Sequence, residues 1–322
     1  MTTLGLVDAE QRNMVASFPA FDPEQDDLMA FRRDLVEGTT ALLNSRSVQY
    51  EERLVPGPDD APDDAPDDAP DVRIILFHPP KSKRTTSAIL YVHGGGMIAG
   101  TPDMQAGTLG RLASETGTLI VSVDYRLAPE APFPGGLEDV YAALIWLHDC
   151  AEEMGIDPDR IMVMGDSGGG CLAAATALLA RDRGKVKLHA QVLIYPMLDL
   201  RTGGADAPSD DPTTGEFVWT RAQNQHAWSA VRGKLAADDP RFGYLSPAFM
   251  PDLSGLPATF IITGALDLFR DEDITFAHRL WKAAVPTELI VYANAVHAFD
   301  LLPSSLGERV RHDVLEAVRR LL

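Results

Sequence analysis

Residues Ile161 to Gly170 constrain what this chain can fold into more than any other stretch. An apolar, β-prone run, Ile161-Met162-Val163-Met164, ends abruptly in Gly165-Asp166-Ser167-Gly168-Gly169-Gly170. An alanine- and leucine-rich helical run follows from Cys171 to Ala180. Strand, sharp turn and helix in immediate succession fit G-x-S-x-G, a pattern that lifts one serine clear of a sheet on a strained turn. Glycine at 165 and 169 has a steric reason, because side chains there would crowd so tight a turn. The helix behind Ser167 aims its N-terminal N–H groups at any negative charge that forms beside the serine. By itself the pattern also fits a phosphate-binding turn or simple close packing of helix on strand, so the rest of the chain has to decide.

Other segments repeat the alternation. Val48 to Val55 and Val72 to Phe77 read as two early strands. Ala88-Ile89-Leu90-Tyr91-Val92 is a continuous apolar strand of the kind buried on both faces of a parallel sheet. Further strands are expected at Thr118 to Asp124, Ala190 to Tyr195, Ala258 to Thr263 and Glu288 to Tyr292. Helical spacing marks Leu137 to Met154, Ile274 to Ala283 and Glu308 to Leu322. The fold class is therefore α/β, a mostly parallel, doubly wound sheet with an antiparallel start, and ligands of such sheets bind at the carboxyl ends of the strands.

Several function classes are excluded. A formal charge of -19 argues against general nucleic-acid binding, which needs basic faces. No apolar run approaches bilayer length, so no membrane span is expected. The first residues lack a basic segment followed by an apolar one, and the default location is cytoplasmic. Two cysteines, Cys150 and Cys171, make no disulfide framework, and no spacing suggests a metal site. Part of the acidity is local. The D-D-A-P repeat in the 58–71 insertion holds seven aspartates from Asp59 to Asp71, and its prolines and self-repulsion predict an inert disordered extension of a hairpin.

A serine hydroxyl needs a base to take its proton and a third group to hold that base. In a sheet of this kind the chain order is serine, acid, histidine, each just after a strand. His297 follows the last strand and Asp267 the one before it. His226, His278 and His312 fall in helical stretches and read as surface or packing residues. Asp271 and Glu272 rival Asp267, but they fall at a helix start, where acids suit the helix dipole anyway. Negative charge developing on a substrate oxygen needs fixed donors. The Gly168 N–H is one, and the loop His93-Gly94-Gly95-Gly96, directly after a strand, offers more. His93 is expected to order that loop and not to carry protons.

With these residues assembled, the sequence resembles the hormone-sensitive-lipase-like branch of the α/β-hydrolases, the bacterial family IV esterases. The resemblance rests on His93–Gly96, on Asp124-Tyr125-Arg126-Leu127-Ala128-Pro129-Glu130, on Gly165–Gly170 with Asp166, and on Asp267 and His297. It covers roughly residue 70 to the end. It implies an α/β-hydrolase fold with an eight-stranded sheet and a helical cap, and hydrolysis of short to medium acyl esters with no cofactor and no metal. Ser167, His297 and Asp267 would form the catalytic triad, with Gly95, Gly96 and Gly168 as oxyanion donors. On this basis residues 1–46 are N-terminal cap helices, 47–196 the first part of the core, 197–250 a second cap segment and 251–322 the rest of the core. Phe21, Met97, Phe217 and Trp219 are the expected pocket residues. The expected partners are a small ester and water, with homodimerisation through the sheet edge typical of relatives. Two positions depart from the family, which usually has alanine at Gly168 and asparagine at Cys171. An amidase or acyltransferase could use the same triad. A silent ligand receptor is disfavoured by the presence of His297.

Overall fold

The computed structural model describes residues 2–18, 21–43, 47–58, 70–81 and 85–322. Most of the D-D-A-P repeat, residues 59–69, lies outside them. In chain order come helices α1 (Arg12–Ala16) and α2 (Leu28–Leu42), then strands β1 (Glu51–Val55), β2 (Val72–Phe77) and β3 (Ala88–Val92). Helix α3 (Ala106–Thr116), β4 (Leu119–Asp124), α4 (Gly135–Asp149), β5 (Ile161–Asp166), α5 (Gly168–Arg183) and β6 (Ala190–Ile194) continue the alternation. After an excursion carrying α6 (Arg221–Arg232) and α7 (Phe242–Leu245), the chain ends with β7 (Ala258–Gly264), α8 (Arg270–Lys282), β8 (Thr287–Tyr292) and α9 (Ser305–Leu321).

The strands form one eight-stranded sheet in the order β1-β2-β4-β3-β5-β6-β7-β8. The pairings β1·β2 and β2·β4 are antiparallel and the other five are parallel. All residues of β3, β5 and β6 are buried, which is why these strands read as near-continuous apolar runs. One face of the sheet packs against α4, α5 and α8 through residues such as Leu90, Val163, Leu144, Leu178 and Phe276. The other packs against α3 and α9 through Ile89, Met164, Leu109, Val310 and Val314. The central strands β3 and β5 end side by side, Val92 pairing with Gly165, so the loops that follow them meet at one edge of the sheet.

The local signals that shape these elements are legible. Asp27 caps α2 by accepting the Met29 N–H, and Gly117 and Gly184 end α3 and α5 with φ of 80° and 68°, a conformation that glycine adopts without steric cost. The strand and helix limits expected from sequence move by a few residues. The largest changes are at α8, which begins at Arg270 instead of Ile274, and at α4, which begins at Gly135 and stops at Asp149 instead of Met154. Among the described residues no helix is long and apolar enough to cross a membrane.

Candidate active site

Ser167 sits between β5 and α5 with φ 56° and ψ −122°, a backbone state that costs on the order of 1–3 kcal/mol for a residue with a side chain. Neighbouring contacts hold it there. The Ser167 N–H donates to the Ile194 carbonyl at 2.9 Å, and its own carbonyl accepts from Met197 and Cys171 at 3.0 and 3.1 Å. The flanking glycines are sterically required. A Cβ on Gly165 would overlap the Gly169 carbonyl, and one on Gly169 would overlap the carbonyl oxygens of Val92 and His93. The tight turn expected from the sequence is therefore also the place where α5 meets the end of β3.

The turns after β7 and β8 bring the other two residues in. Ser167 Oγ lies 2.9 Å from His297 Nε2, and His297 Nδ1 lies 2.8 Å from Asp267 Oδ2. The second oxygen of Asp267 accepts the Phe269 N–H at 2.9 Å. Asp267 is fully buried, while Ser167 and His297 are each 5% exposed. The His297 ring is walled by Tyr195 and Phe269, both edge-on at 4.7 and 5.2 Å. With Nδ1–H donating to the carboxylate, Nε2 is the acceptor that faces the hydroxyl, the arrangement a general base requires. Asp271 and Glu272 are elsewhere. Asp271 pairs with Arg270, and buried Glu272 accepts the Leu198 and Asp199 N–H groups.

The loop after β3 faces the serine. Gly95 and Gly96 have φ of 114° and 63°, and the Gly95 carbonyl accepts the Ile98 and Ala99 N–H groups at 3.1 and 3.0 Å. The N–H groups of Gly95, Gly96 and Gly168 have no acceptor among the described residues. Free donors beside a reactive oxygen are what a developing oxyanion needs. His93 is buried, stacked on Tyr125 at 4.3 Å, and bonded through Nδ1 to the Gly94 carbonyl at 2.9 Å. Burial lowers its pKa to about 4, which leaves the ring neutral at pH 7. Tyr125 adds a bond from its hydroxyl to the His93 carbonyl at 2.9 Å, which ties the Asp124–Glu130 motif to the same loop.

Asp166 is not part of the relay to Ser167. Its carboxyl accepts from the Tyr91 hydroxyl and from Gln105 Nε2 at 3.0 Å, and lies against Gly94, where a Cβ would come within 2.6 Å of it. Burial raises its pKa to about 7. It lies against the back of the loop.

A cavity of about 580 Å³ opens onto Ser167, His297 and Gly95. Phe21 reaches it from the connection between α1 and α2, Phe31 and Leu35 from α2, Val218 and Trp219 from the excursion after β6, and Leu302 from the C-terminal side. No group of three or more metal-binding side chains exists among the described residues.

Comparison with known proteins places the chain in a family. A family model described as the alpha/beta hydrolase fold matches residues 89–301. The carboxylesterase NlhH of Mycobacterium tuberculosis is 38% identical over 235 residues, 71% of each chain. The chain belongs to the α/β-hydrolase family. An arylesterase of Saccharolobus solfataricus is 34% identical over 70% of this chain and 72% of its own. A solved bacterial heroin esterase superposes with a TM-score of 0.88 at 34% identity, covering 100% of this chain and 99% of the other. Among these relatives the hormone-sensitive-lipase-like resemblance holds.

Two of the pocket residues expected for a member of this family are placed differently. Phe21 and Trp219 line the cavity, but Met97 is buried in the main core below the loop, and its carbonyl accepts the Ala128 N–H. Phe217 packs with Val7, Val15, Val296 and Leu302 in a small separate cluster. The reason is the backbone at residues 217–219. Val218 has φ 65°, and the reversal there sends the aromatic side chains on either side of it to different surroundings. Phe31, Tyr195 and Leu302, which do face the cavity, carried no signal beyond ordinary apolar spacing. The departures from the family pattern leave the site intact. Gly168 retains its N–H, and the Cys171 thiol is buried, raised in pKa by that burial, and donates to the Leu245 carbonyl at 3.6 Å.

Proposed function

We propose that this protein is a serine carboxylesterase acting on esters with short to medium acyl chains. The observation that carries the reading is the continuous chain Ser167 Oγ–His297 Nε2, His297 Nδ1–Asp267 Oδ2, at 2.9 and 2.8 Å, on the floor of the cavity and beside three free backbone N–H groups. Ser167 attacks the ester carbonyl carbon while His297 takes its proton. The carbonyl oxygen becomes an alkoxide bonded by the N–H groups of Gly95, Gly96 and Gly168. The tetrahedral adduct collapses with loss of the alcohol, to which His297 returns the proton, leaving an acyl group on Ser167. Water, deprotonated by His297, then attacks the acyl carbon and releases the acid and the free serine. Asp267 orients the imidazole and stabilises its cation throughout.

The cavity is within the usual range of small-molecule sites, about 300–1,000 Å³, and has to hold both halves of the ester, which favours short acyl chains. Esterase names among the relatives support the reaction class. The test is hydrolysis of p-nitrophenyl esters from acetate to palmitate by the wild type and Ser167→Ala. Turnover should fall with chain length and vanish in the variant. Binding without turnover across the series, or faster cleavage of p-nitroacetanilide than of the acetate ester, would overturn the reading.

A further inference from the structure

The oxyanion loop is held from the cap as well as from the core. On the core side, an added Cβ at Gly168 would lie 2.7 Å from the Met97 N and 2.8 Å from Gly96 Cα, so helix α5 abuts the loop backbone closely. On the cap side, the space that a Gly96 side chain would occupy is filled by the benzo edge of Trp219, with Cζ2 at 2.7 Å from an added Cβ, and by the Ala227 methyl at 3.4 Å. The Trp219 ring has an anchor of its own. Thr220 and Gln223 form a reciprocal cap at the start of α6, which places Trp219 immediately before the helix. From there its indole N–H donates to Asn224 Oδ1 at 3.1 Å, and Asn224 Nδ2 donates to the Thr202 carbonyl at 2.7 Å. Asn224 is fully buried and is not on the cavity wall.

We propose that Trp219 is a positioning residue for the oxyanion loop: the second cap segment, anchored through Asn224, holds Gly96 so that its N–H meets the developing oxyanion. The proposal rests on the reading of Gly95, Gly96 and Gly168 as oxyanion donors. Its physical reason is the conformational freedom of the loop. Three successive glycines can leave their positions at little steric cost, and the loop's own bonds run through the Gly94, Gly95 and Met97 carbonyls, not through Gly96. Contact with a rigid, buried ring is what fixes that residue. The cap then sets donor geometry in addition to cavity shape.

The experiment compares wild type, Trp219→Phe and Asn224→Leu. Trp219→Phe withdraws the benzo edge, and Asn224→Leu removes the anchor without altering a wall residue. We expect kcat for p-nitrophenyl butyrate to fall about tenfold or more in both, part of the roughly 10²–10³ that loss of a whole oxyanion donor costs. KM should change little, and the affinity for a trifluoromethyl ketone, which forms the tetrahedral adduct, should fall in parallel with kcat/KM. Hydrogen exchange at Ile98 and Ala99, whose N–H groups bond the Gly95 carbonyl, should accelerate in both variants. Raised KM with unchanged kcat and unchanged exchange would make Trp219 a wall residue only and overturn the proposal. If Asn224→Leu does not fold, Trp219→Phe decides by the same readouts. If the wild type turns over no ester, the reading of the site fails separately, and the exchange measurement still decides whether the cap holds the loop.

Discussion

Asp267→Asn isolates the part of the mechanism that depends on a single proton. Asparagine has nearly the shape of aspartate but one acceptor and one donor group. The structure decides which way round it sits. The Phe269 N–H points at Asp267 Oδ1 from 2.9 Å and accepts nothing, so the amide oxygen must turn to it. The amide NH2 then faces His297 Nδ1, now 2.8 Å from a donor. The imidazole responds by carrying its proton on Nε2, which donates to Ser167 Oγ and can no longer take the serine proton. The site is buried and nearly isosteric, so fold and substrate binding should survive. The expected loss is about 10⁴ in kcat, roughly 5 kcal/mol of barrier, with KM altered by a small factor. The assay is steady-state hydrolysis of p-nitrophenyl butyrate, with the His297 tautomer read by nitrogen NMR. A loss of less than about tenfold, or an Nδ1–H tautomer in the variant, would refute the reasoning, because either would mean that the carboxylate does not set the base.

Three other predictions test the scaffold. Gly169→Ala should destabilise the protein by several kcal/mol or prevent folding, since its methyl overlaps two carbonyl oxygens at the end of β3; a thermal midpoint within about two degrees of wild type would contradict this. Asp166 keeps its proton to about pH 7 in the fold but loses it near 3.8 when unfolded, so the native state binds the extra proton between those values and stability falls as pH rises from about 4 to 7. The full effect is on the order of 4 kcal/mol. Asp166→Asn should flatten part of that slope in urea titrations run at pH 5 and pH 8, and an unchanged slope would exclude Asp166 as its source. Asp273 is fully buried, neither of its carboxyl oxygens has a hydrogen-bond partner among the described residues, and burial followed by the charge of Glu272 raises its pKa well above the usual range. The sign is the same as for Asp166, so Asp273→Asn should raise the thermal midpoint at pH 8 by more than at pH 5, and an equal change at both would argue against an ionisation cost.

The legible part of this protein is the part dictated by chain order and backbone chemistry. Apolar runs too continuous for a one-sided sheet predict buried parallel strands. Glycines at 165 and 169 predict a turn without room for side chains, and the structure shows which carbonyls take that room. Ser167, Asp267 and His297 could be chosen because each lies just after a strand, and parallel strands bring such positions to one edge whatever the distance along the chain. His93–Gly96 follows the same rule.

What the sequence left open depends on side-chain direction outside regular elements. Phe217 and Trp219 are two residues apart and equally apolar, yet only Trp219 reaches the cavity, because Val218 takes a positive φ that composition does not announce. Met97 follows Gly95 and Gly96 directly but turns into the core. The grip of Asn224 on Trp219, and the buttress that Tyr91 and Gln105 give Asp166, join residues with no common local pattern. Sequence alone determined the sheet, the order of Ser167, Asp267 and His297 after their strands and the glycines around the serine, since these follow from sterics and connectivity within a few residues. Only the tertiary structure decided which side chains of the N-terminal helices and of the excursion after β6 meet the cavity, because that depends on how two segments far apart in the chain pack against the same edge.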